Sequence, residues 1–155
     1  MKSTVTLNRF EDAPALWIVR DHARFVGDLP DSNLALVEFE VPPGSGTPPH
    51  THASPEIFRI LSGEITFGAF DGEPTFLTAG PGSVVSVPSM AAHNYENRSG
   101  APARMLVVLD QSMVTFFKEL GKTEQPPAGP PSDEEISEVM AACARHGIHI
   151  LGGPG

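Results

Sequence analysis

Three histidines and one glutamate stand at spacings that favour a metal site. His50 and His52 are two residues apart, so their side chains point to the same face of an extended strand. Glu56 follows at even spacing, although Pro55 argues against one unbroken strand through all three positions. His93, in a later apolar run, would supply the third imidazole. We therefore predict that these four side chains bind one metal ion.

Imidazole nitrogens and a carboxylate suit one divalent transition metal ion, and Fe, Mn, Ni, Co, Cu and Zn are all candidates. Four ligands in an octahedral field leave two positions open. These permit polarisation of an enol or carbonyl group and, with a redox metal, oxygen chemistry. Glu56 keeps two roles open, as a metal ligand and as the catalytic base for a substrate hydroxyl. The pair of His50 and His52 alone would also fit an exposed polar edge, but Glu56 and His93 in register favour the metal.

These residues lie in two segments that resemble the two sequence motifs of the cupin superfamily. The first segment, residues 44–63, reads GSGTPPHTHASPEIFRILSG and has every fixed position of the first cupin motif. The second, residues 82–97, reads GSVVSVPSMAAHNYEN and matches the second motif except at Met90, where glycine is usual. Glycine relieves steric limits that methionine does not, so the substitution bears on the local turn and leaves the ligand set intact.

The resemblance is to single-domain cupins (monocupins) of the quercetinase-like, cupin 2 conserved barrel type. It implies a jelly-roll barrel, or double-stranded β-helix, and a metal-dependent dioxygenase that acts on a small aromatic or enolic molecule. The ligand set of such enzymes carries over to His50, His52, Glu56 and His93 only. Two alternatives stay open, because the fold does not fix the reaction. They are a metal-dependent isomerase, decarboxylase or cyclase, and a non-catalytic small-molecule-binding cupin.

Length, charge and cysteine content narrow the class of protein. The 155 residues fit one domain with a single core. Asp and Glu number 19 against 10 Lys and Arg, a formal net charge of −9, which argues against a nucleic-acid partner. The sequence has no run of about 20 apolar residues and no signal-peptide core near its start, so we expect no membrane partner. The single cysteine, Cys143, excludes an internal disulfide and makes the cytoplasm the default location.

Alternating apolar runs between glycines and prolines predict an all-β barrel over roughly residues 4–112. The predicted strands are Thr4–Phe10, Ala15–Arg20, Asn33–Val41, Glu56–Leu61, Glu64–Phe70, Thr75–Thr78, Val84–Val87, His93–Asn97 and Arg104–Asp110. Within the third run, Val37, Phe39 and Val41 alternate with polar residues and are expected to face inward. The segment Leu61–Glu64 predicts a tight hairpin.

A proline-rich break at Gln125–Ser132 separates two predicted helices, which span residues 113–121 and 132–146. Acidic residues open the second helix and suit its dipole, and the helices end at Gly121 and Gly147. The domain prediction is a cupin β-barrel over residues 1–112. A helical extension over residues 113–155 is expected to pack on the barrel, so that the chain forms one domain overall.

Alternation also places aromatic side chains inside the barrel. Phe39, Phe58 and Tyr95 are expected to face the interior, where core packing is their default role and a substrate pocket the functional one. Met90, beside the turn of the second motif, would contact an apolar substrate at the mouth of that pocket. The mostly apolar interior favours an aromatic or enolic substrate over a sugar.

A homodimer is the expected assembly. The β-rich stretch of residues 4–20 lies at an edge of the predicted barrel and can pair with a second copy across a two-fold axis. The expected partners are therefore a small-molecule ligand or substrate and a second copy of the chain, with no nucleic acid and no membrane.

Overall fold

The computed structural model describes residues 4–152, in which two antiparallel sheets enclose one apolar core. In pairing order, the six-stranded sheet contains β1 (Ala15–Ile18), β2 (Asp21–Leu29), β3 (Leu34–Val41), β10 (Ala103–Leu109), β5 (Glu56–Ser62) and β8 (Val84–Val87). The five-stranded sheet contains β11 (His149–Ile150), β4 (His50–Thr51), β9 (His93–Glu96), β6 (Ile65–Ala69) and β7 (Thr75–Ala79). The helices are α1 (Gln111–Leu120), α2 (Asp133–Arg145) and one-turn 3₁₀ helices at Phe10–Asp12 and Pro30–Ser32. The predicted fold class, an all-β jelly roll with C-terminal helices, is confirmed.

The middle of the six-stranded sheet carries much of the core. Val37, Phe39 and Val41 of β3 are buried, as their alternation predicted. β10 pairs with β3 in a register that sets Val107 opposite Val37 and Met105 opposite Phe39, and both partners are buried too. Because side chains point to the same face at every second residue, the two strands present one continuous apolar surface to the interior.

One predicted strand is absent from the structure. Residues 4–9 form no strand, Phe10 starts a 3₁₀ helix, and Val5 and Leu7 are 102% and 83% exposed. β-branched and aromatic residues favour a strand only where neighbours cover them, and this segment has no strand paired with it. The prediction of a strand at Thr4–Phe10 is therefore wrong.

The segment Leu61–Glu64 is a corner between the sheets and not the predicted hairpin. β5 ends in the six-stranded sheet, and β6 starts in the five-stranded one. Gly63 turns the chain with a φ of 71°, and a Cβ atom at this position would come within 2.9 Å of the Ala103 Cα atom. Glycine suits both a hairpin and such a corner, so the local sequence could not separate the two.

Both C-terminal helices are present, with shifted bounds. α1 begins earlier than predicted because the Asp110 side chain caps it, and α2 opens with a capping box of Ser132 and Glu135. The buried residues of both helices belong to the same apolar cluster as the barrel strands. None of the helices within residues 4–152 is long and apolar enough to cross a membrane. The division into a barrel and an extension at residue 112 stays a prediction.

The predicted dimer surface includes an edge of the six-stranded sheet. β1 is the edge strand, and the backbone of its Trp17 pairs with Lys122 on the open side. Part of this edge is therefore covered within the chain. A homodimer formed through residues 4–20 stays a prediction.

Candidate metal centre

Two short strands of the five-stranded sheet bring the three histidines together. β4 and β9 are antiparallel neighbours whose register pair is His50 opposite His93, and their ring centroids are 4.3 Å apart. His52 lies just beyond the end of β4, with its ring centroid 5.0 Å from that of His93. Glu56, the first residue of β5, reaches the cluster from the other sheet. All four predicted ligands are buried and lie together.

Backbone carbonyls fix the orientation of each ring. Each Nδ1 atom lies 2.8 Å from a carbonyl oxygen two residues away, and the pairs are His50–Pro48, His52–Ser54 and His93–Ala91. A carbonyl oxygen only accepts, so each Nδ1 carries a proton, and a ring in its neutral form keeps its lone pair on Nε2. Metal-binding histidines in proteins are commonly held in this way.

The nitrogen atoms converge on one point. One ring nitrogen from each histidine lies within 4.8 Å of the other two. Glu56 Oε1 lies 3.0 Å from His52 Nε2 and 3.5 Å from His93 Nε2, but Glu56 is outside that mutual set. Within residues 4–152 the buried His52 Nε2 has no hydrogen-bond partner, although Glu56 Oε1 lies close to it. A buried polar atom without a partner costs free energy, which a bound metal ion would remove.

The protonation states follow from burial and from the neighbouring charges. Burial lowers the pKa of His50 to about 4, and the rings of His93 and His52 act in the same direction. Burial alone would raise the pKa of Glu56, but the adjacent His52 and His93 outweigh it and hold that pKa at about 2. For His52 burial lowers the pKa and the Glu56 carboxylate raises it more, so the net direction is upward. His50 is therefore uncharged at neutral pH, and Glu56 is ionised.

The four side chains fit a divalent transition metal ion. Three imidazole nitrogens and a carboxylate oxygen are ligands of intermediate softness, and the histidines are already oriented by their carbonyl partners. Their convergence is observed in the structure. Metal binding by His50, His52, Glu56 and His93 stays a prediction, and so does the identity of the ion.

The turn of the second motif keeps a left-handed conformation without its glycine. Met90 has a φ of 66°, a region that favours glycine, and its N–H donates to the His52 carbonyl at 2.8 Å. The turn thus anchors the segment that carries His52. Met90 itself is 53% exposed and does not line the cavity beside the cluster, because the turn presents it to solvent. The structure places it outside the pocket that the sequence predicted.

Asn97, the last fixed position of the second motif, has a structural role. It is fully buried, and its Nδ2 atom donates to the carbonyls of Val41 and Ala101 at 2.9 and 2.8 Å. Its Oδ1 atom accepts from the N–H and the hydroxyl of Ser99. These bonds tie the chain after β9 to the end of β3, and so hold the strand that carries His93.

A cavity of about 130 Å³ opens beside the cluster. Phe39, Phe58 and Tyr95, three of the residues predicted for a substrate pocket, line it. The helices add apolar side chains that the sequence did not assign to a pocket, among them Met113, Phe116 and Phe117 from α1 and Val139 and Cys143 from α2. No Lys or Arg within residues 4–152 lines this cavity. Its wall is therefore mostly apolar and carries no permanent cation.

A second polar cluster in the same cavity was not predicted. Asp21 is buried, and its Oδ1 atom accepts from the Ser45 hydroxyl at 2.6 Å while its Oδ2 atom accepts from the Tyr95 hydroxyl. All three residues line the cavity. Burial raises the pKa of Asp21 to about 6, against the effect of the two hydrogen bonds. Burial, and then the charge of Asp21, raise the pKa of Tyr95 well above its usual value, so its hydroxyl remains a donor.

Asp21 is one of 19 acidic residues, and no sequence signal distinguished it from the others. β2 was not among the predicted strands, because an irregularity in its pairing between Phe25 and Gly27 breaks the two-residue alternation. Ser45 lay inside the first motif but at a variable position. Only the fold shows that the two residues meet.

Comparison with known proteins identifies the family. A family model described as the cupin domain matches residues 37–109, a range that includes both motifs and all four clustered side chains. The chain belongs to the cupin superfamily. This cupin is 30% identical over 81 residues to Auxin-binding protein 1 of Arabidopsis thaliana. That match covers 48% of this chain and 41% of the relative, so the chain spans less than half the length of that protein.

Solved structures share the fold of this cupin. The polyketide cyclase RemF from Streptomyces resistomycificus matches with a TM-score of 0.61 at 23% identity, over 90% of this chain and 99% of that chain. An oxalate decarboxylase from Bacillus subtilis matches with a TM-score of 0.57 at 26% identity, over 70% of this chain and 30% of that chain. These likenesses support the fold and leave the reaction to be argued from the site.

Proposed function

We propose that this cupin binds one divalent transition metal ion through His50, His52, His93 and Glu56 and acts as a dioxygenase on a small aromatic or enolic molecule. Such an ion, when bound, polarises an enol or carbonyl group and, if it is redox-active, supports reaction with oxygen. The observation that carries the proposal is the convergence of three oriented imidazole nitrogens beside an apolar cavity. The unpartnered Nε2 atom of His52 adds to it.

Glu56 is suited to act as the base of this site. Its Oε1 atom approaches His52 and His93, and the carboxylate therefore lies at one side of the cluster instead of among the three nitrogens. A substrate hydroxyl held at the cluster would have this carboxylate as its nearest ionised acceptor. Removal of that proton makes the substrate electron-rich, which is what reaction with oxygen requires.

The cavity limits the size of the substrate. A cavity of roughly 150 Å³ holds one benzene molecule. A volume of about 130 Å³ therefore suits a single ring or a short enolic diketone. Phe39 and Phe58 offer such a ring apolar contact. A three-ring flavonol would have to extend beyond this volume, so we rank catechols and enolic diketones ahead of flavonols as substrates.

A metal-dependent cyclase is the second candidate. The observation that favours it is the extent of the match to the polyketide cyclase, which covers 90% of this chain and so extends beyond the barrel matched at residues 37–109. A cyclase would use the same cavity and Glu56 for proton transfer. It would need no oxygen and no redox-active ion, and this difference separates the two candidates by experiment.

Oxygen uptake tests the proposal. The protein is stripped of metal, reloaded separately with Fe, Mn, Ni, Co, Cu or Zn, and given catechols and enolic diketones in an oxygen electrode. We expect uptake with at least one redox-active ion and none with Zn, since Zn²⁺ has no redox chemistry of its own. Because free iron and copper also oxidise catechols, the His50→Ala/His52→Ala variant treated in the same way is the matched control.

Each other outcome has a clear meaning. No uptake above the control with any redox-active ion would contradict the dioxygenase. Conversion of a substrate by the Zn form without oxygen would support the cyclase, or an isomerase or decarboxylase. Binding of these compounds without conversion under any condition would leave a non-catalytic small-molecule-binding cupin.

A further inference from the structure

Asp21 is a buried carboxylate that faces the cavity and has no cation beside it. Within residues 4–152 it makes no salt bridge, and no Lys or Arg shares the cavity. Two neutral donors, the hydroxyls of Ser45 and Tyr95, bond to its side chain. Burial of a carboxylate is costly unless hydrogen bonds or a counter-charge offset it. Two neutral donors offset part of that cost and leave the carboxylate able to bind more.

The carboxylate has unused acceptor capacity and lines a space that a ligand can enter. An ionised carboxylate accepts about four hydrogen bonds through its two oxygens. Ser45 occupies one position on Oδ1 and Tyr95 occupies one on Oδ2. Tyr95, which also lines the cavity, uses its only hydroxyl proton in this bond, so its oxygen can still act as an acceptor. A ligand group that donates a hydrogen bond would therefore meet two acceptors at this point.

We propose that Asp21, held by Ser45 and Tyr95, is a second recognition point that selects substrates with a hydroxyl group away from their metal-binding end. The inference rests on the proposed function, since it assumes that the histidine cluster holds the other end of the molecule. The chemical class is a small ring or enol with a chelating pair of oxygens and one further neutral hydroxyl. A carboxylate or phosphate in its place would be repelled by Asp21 and Glu56.

A purely structural role is the alternative reading. Asp21 joins the start of β2 to Ser45 and to β9, so it also stabilises the fold around the cavity. Such a role would lower stability when Asp21 is replaced and would weaken all ligands alike. A recognition role changes the ratio between two ligands that differ in one hydroxyl. The ratio is measured within one protein, and a general loss of stability or of metal does not alter it.

The test uses two matched pairs of ligands. Pyrogallol is compared with 3-methylcatechol, and benzene-1,2,4-triol with 4-methylcatechol, because a methyl group has about the size of a hydroxyl but donates no hydrogen bond. Binding to the Zn-loaded protein is measured by anaerobic titration calorimetry, so that no oxidation interferes. We expect the wild type to bind the hydroxyl member of at least one pair about tenfold more tightly, the value of one good hydrogen bond to a charged group.

The variants are Asp21→Ala and, in case it fails to fold, Asp21→Asn, which keeps the shape and removes the charge. Asp71→Asn, at an exposed position, is the matched control. We expect the preference to fall to within about threefold in Asp21→Ala, to be clearly reduced in Asp21→Asn, and to persist in the control. Zinc content is measured for every protein.

The outcomes separate this inference from the proposed function. If the catechols bind but the wild type shows no preference in either pair, the inference is wrong. The same holds if the preference survives in the Asp21 variants. If none of the four compounds binds the Zn-loaded wild type, the proposed substrate class fails, and the inference fails with it.

Discussion

The cavity of this cupin holds two polar clusters that differ in what they require. The histidine cluster offers lone pairs and lacks a positive partner, and its rings are oriented by backbone carbonyls only two residues away. The Asp21 cluster offers a buried negative charge held by side chains 24 and 74 positions distant in sequence. The first is built by local geometry within a motif, and the second exists only through the tertiary fold.

The two clusters would serve different purposes. The histidine cluster would support the reaction, and the Asp21 cluster would recognise the substrate. The histidine cluster lies inside the range of residues 37–109 that the cupin family model matches, whereas Asp21 lies outside that range. A site of this kind can keep one metal chemistry while a position outside the motifs adapts it to a particular molecule.

Replacing His50 and His52 together with alanine should have the largest effect, because it removes two of the three converging nitrogens. We expect loss of stoichiometric metal, measured by elemental analysis of protein purified without chelator. Metal should raise the melting temperature of the wild type and not of the variant, since a ligand that binds only the folded state stabilises it by about 4 kcal/mol at a thousand times its Kd. His149→Ala, exposed on β11, is the control. Full metal content in the double variant would refute the ligand assignment.

Replacing Glu56 with glutamine should separate the base from the metal ligands. Glutamine keeps the shape of the side chain and cannot take a proton, so we expect turnover of an active substrate to fall by about 10²-fold or more. A substantial share of the metal should remain, because the three histidines are untouched. Steady-state rates and metal content are measured on the same preparation, with the exposed Glu64→Gln as control. Unchanged turnover would remove Glu56 from the mechanism.

The histidine cluster was predictable from the sequence and the Asp21 cluster was not, for physical reasons. Side chains alternate along extended strands, and this alternation predicted that the three histidines lie together, namely His50, His52 and His93. The same alternation predicted that Phe39 and Phe58 are buried. Asp21 could not be found in this way, because the hydrogen bonds that define it join distant segments. The corner after β5 and the missing first strand also depended on which neighbours the fold supplies.

Contacts between distant segments also determined which features of the fold could be predicted. The core positions of β3 and the existence of both helices followed from alternation, capping residues and prolines. The packing of α1 and α2 over the cavity did not follow, because an amphipathic helix does not specify which surface it covers. The sequence therefore predicted the histidine cluster, and the fold was needed to find the Asp21 cluster in the same cavity.

The smallest expected effect concerns the stability of the metal-free protein and tests the charge of Asp21 directly. Burial raises the pKa of this carboxyl from its usual 3.8 to about 6 in the folded protein, where its neighbours in the cavity are the hydroxyls of Ser45 and Tyr95. Between these two values the folded state keeps a proton that the unfolded state has released. Stability from this group is therefore fully present below about pH 4 and is lost as the pH rises through about 6.

Asparagine is uncharged at every pH, so Asp21→Asn should not lose this stability. We expect the free energies of unfolding of the variant and the wild type to be similar near pH 4. By about pH 7 the free energy of unfolding of the variant should exceed that of the wild type by on the order of 2 kcal/mol. Urea unfolding of both chelator-treated proteins across this range measures the difference, in which the titration of the histidines cancels. Asp71→Asn, at an exposed position, should show no such trend. A difference that stays constant with pH, or one that shrinks as the pH rises, would show that Asp21 is not a buried carboxylate in need of a donor. It would also remove the contrast between the two polar clusters of the cavity.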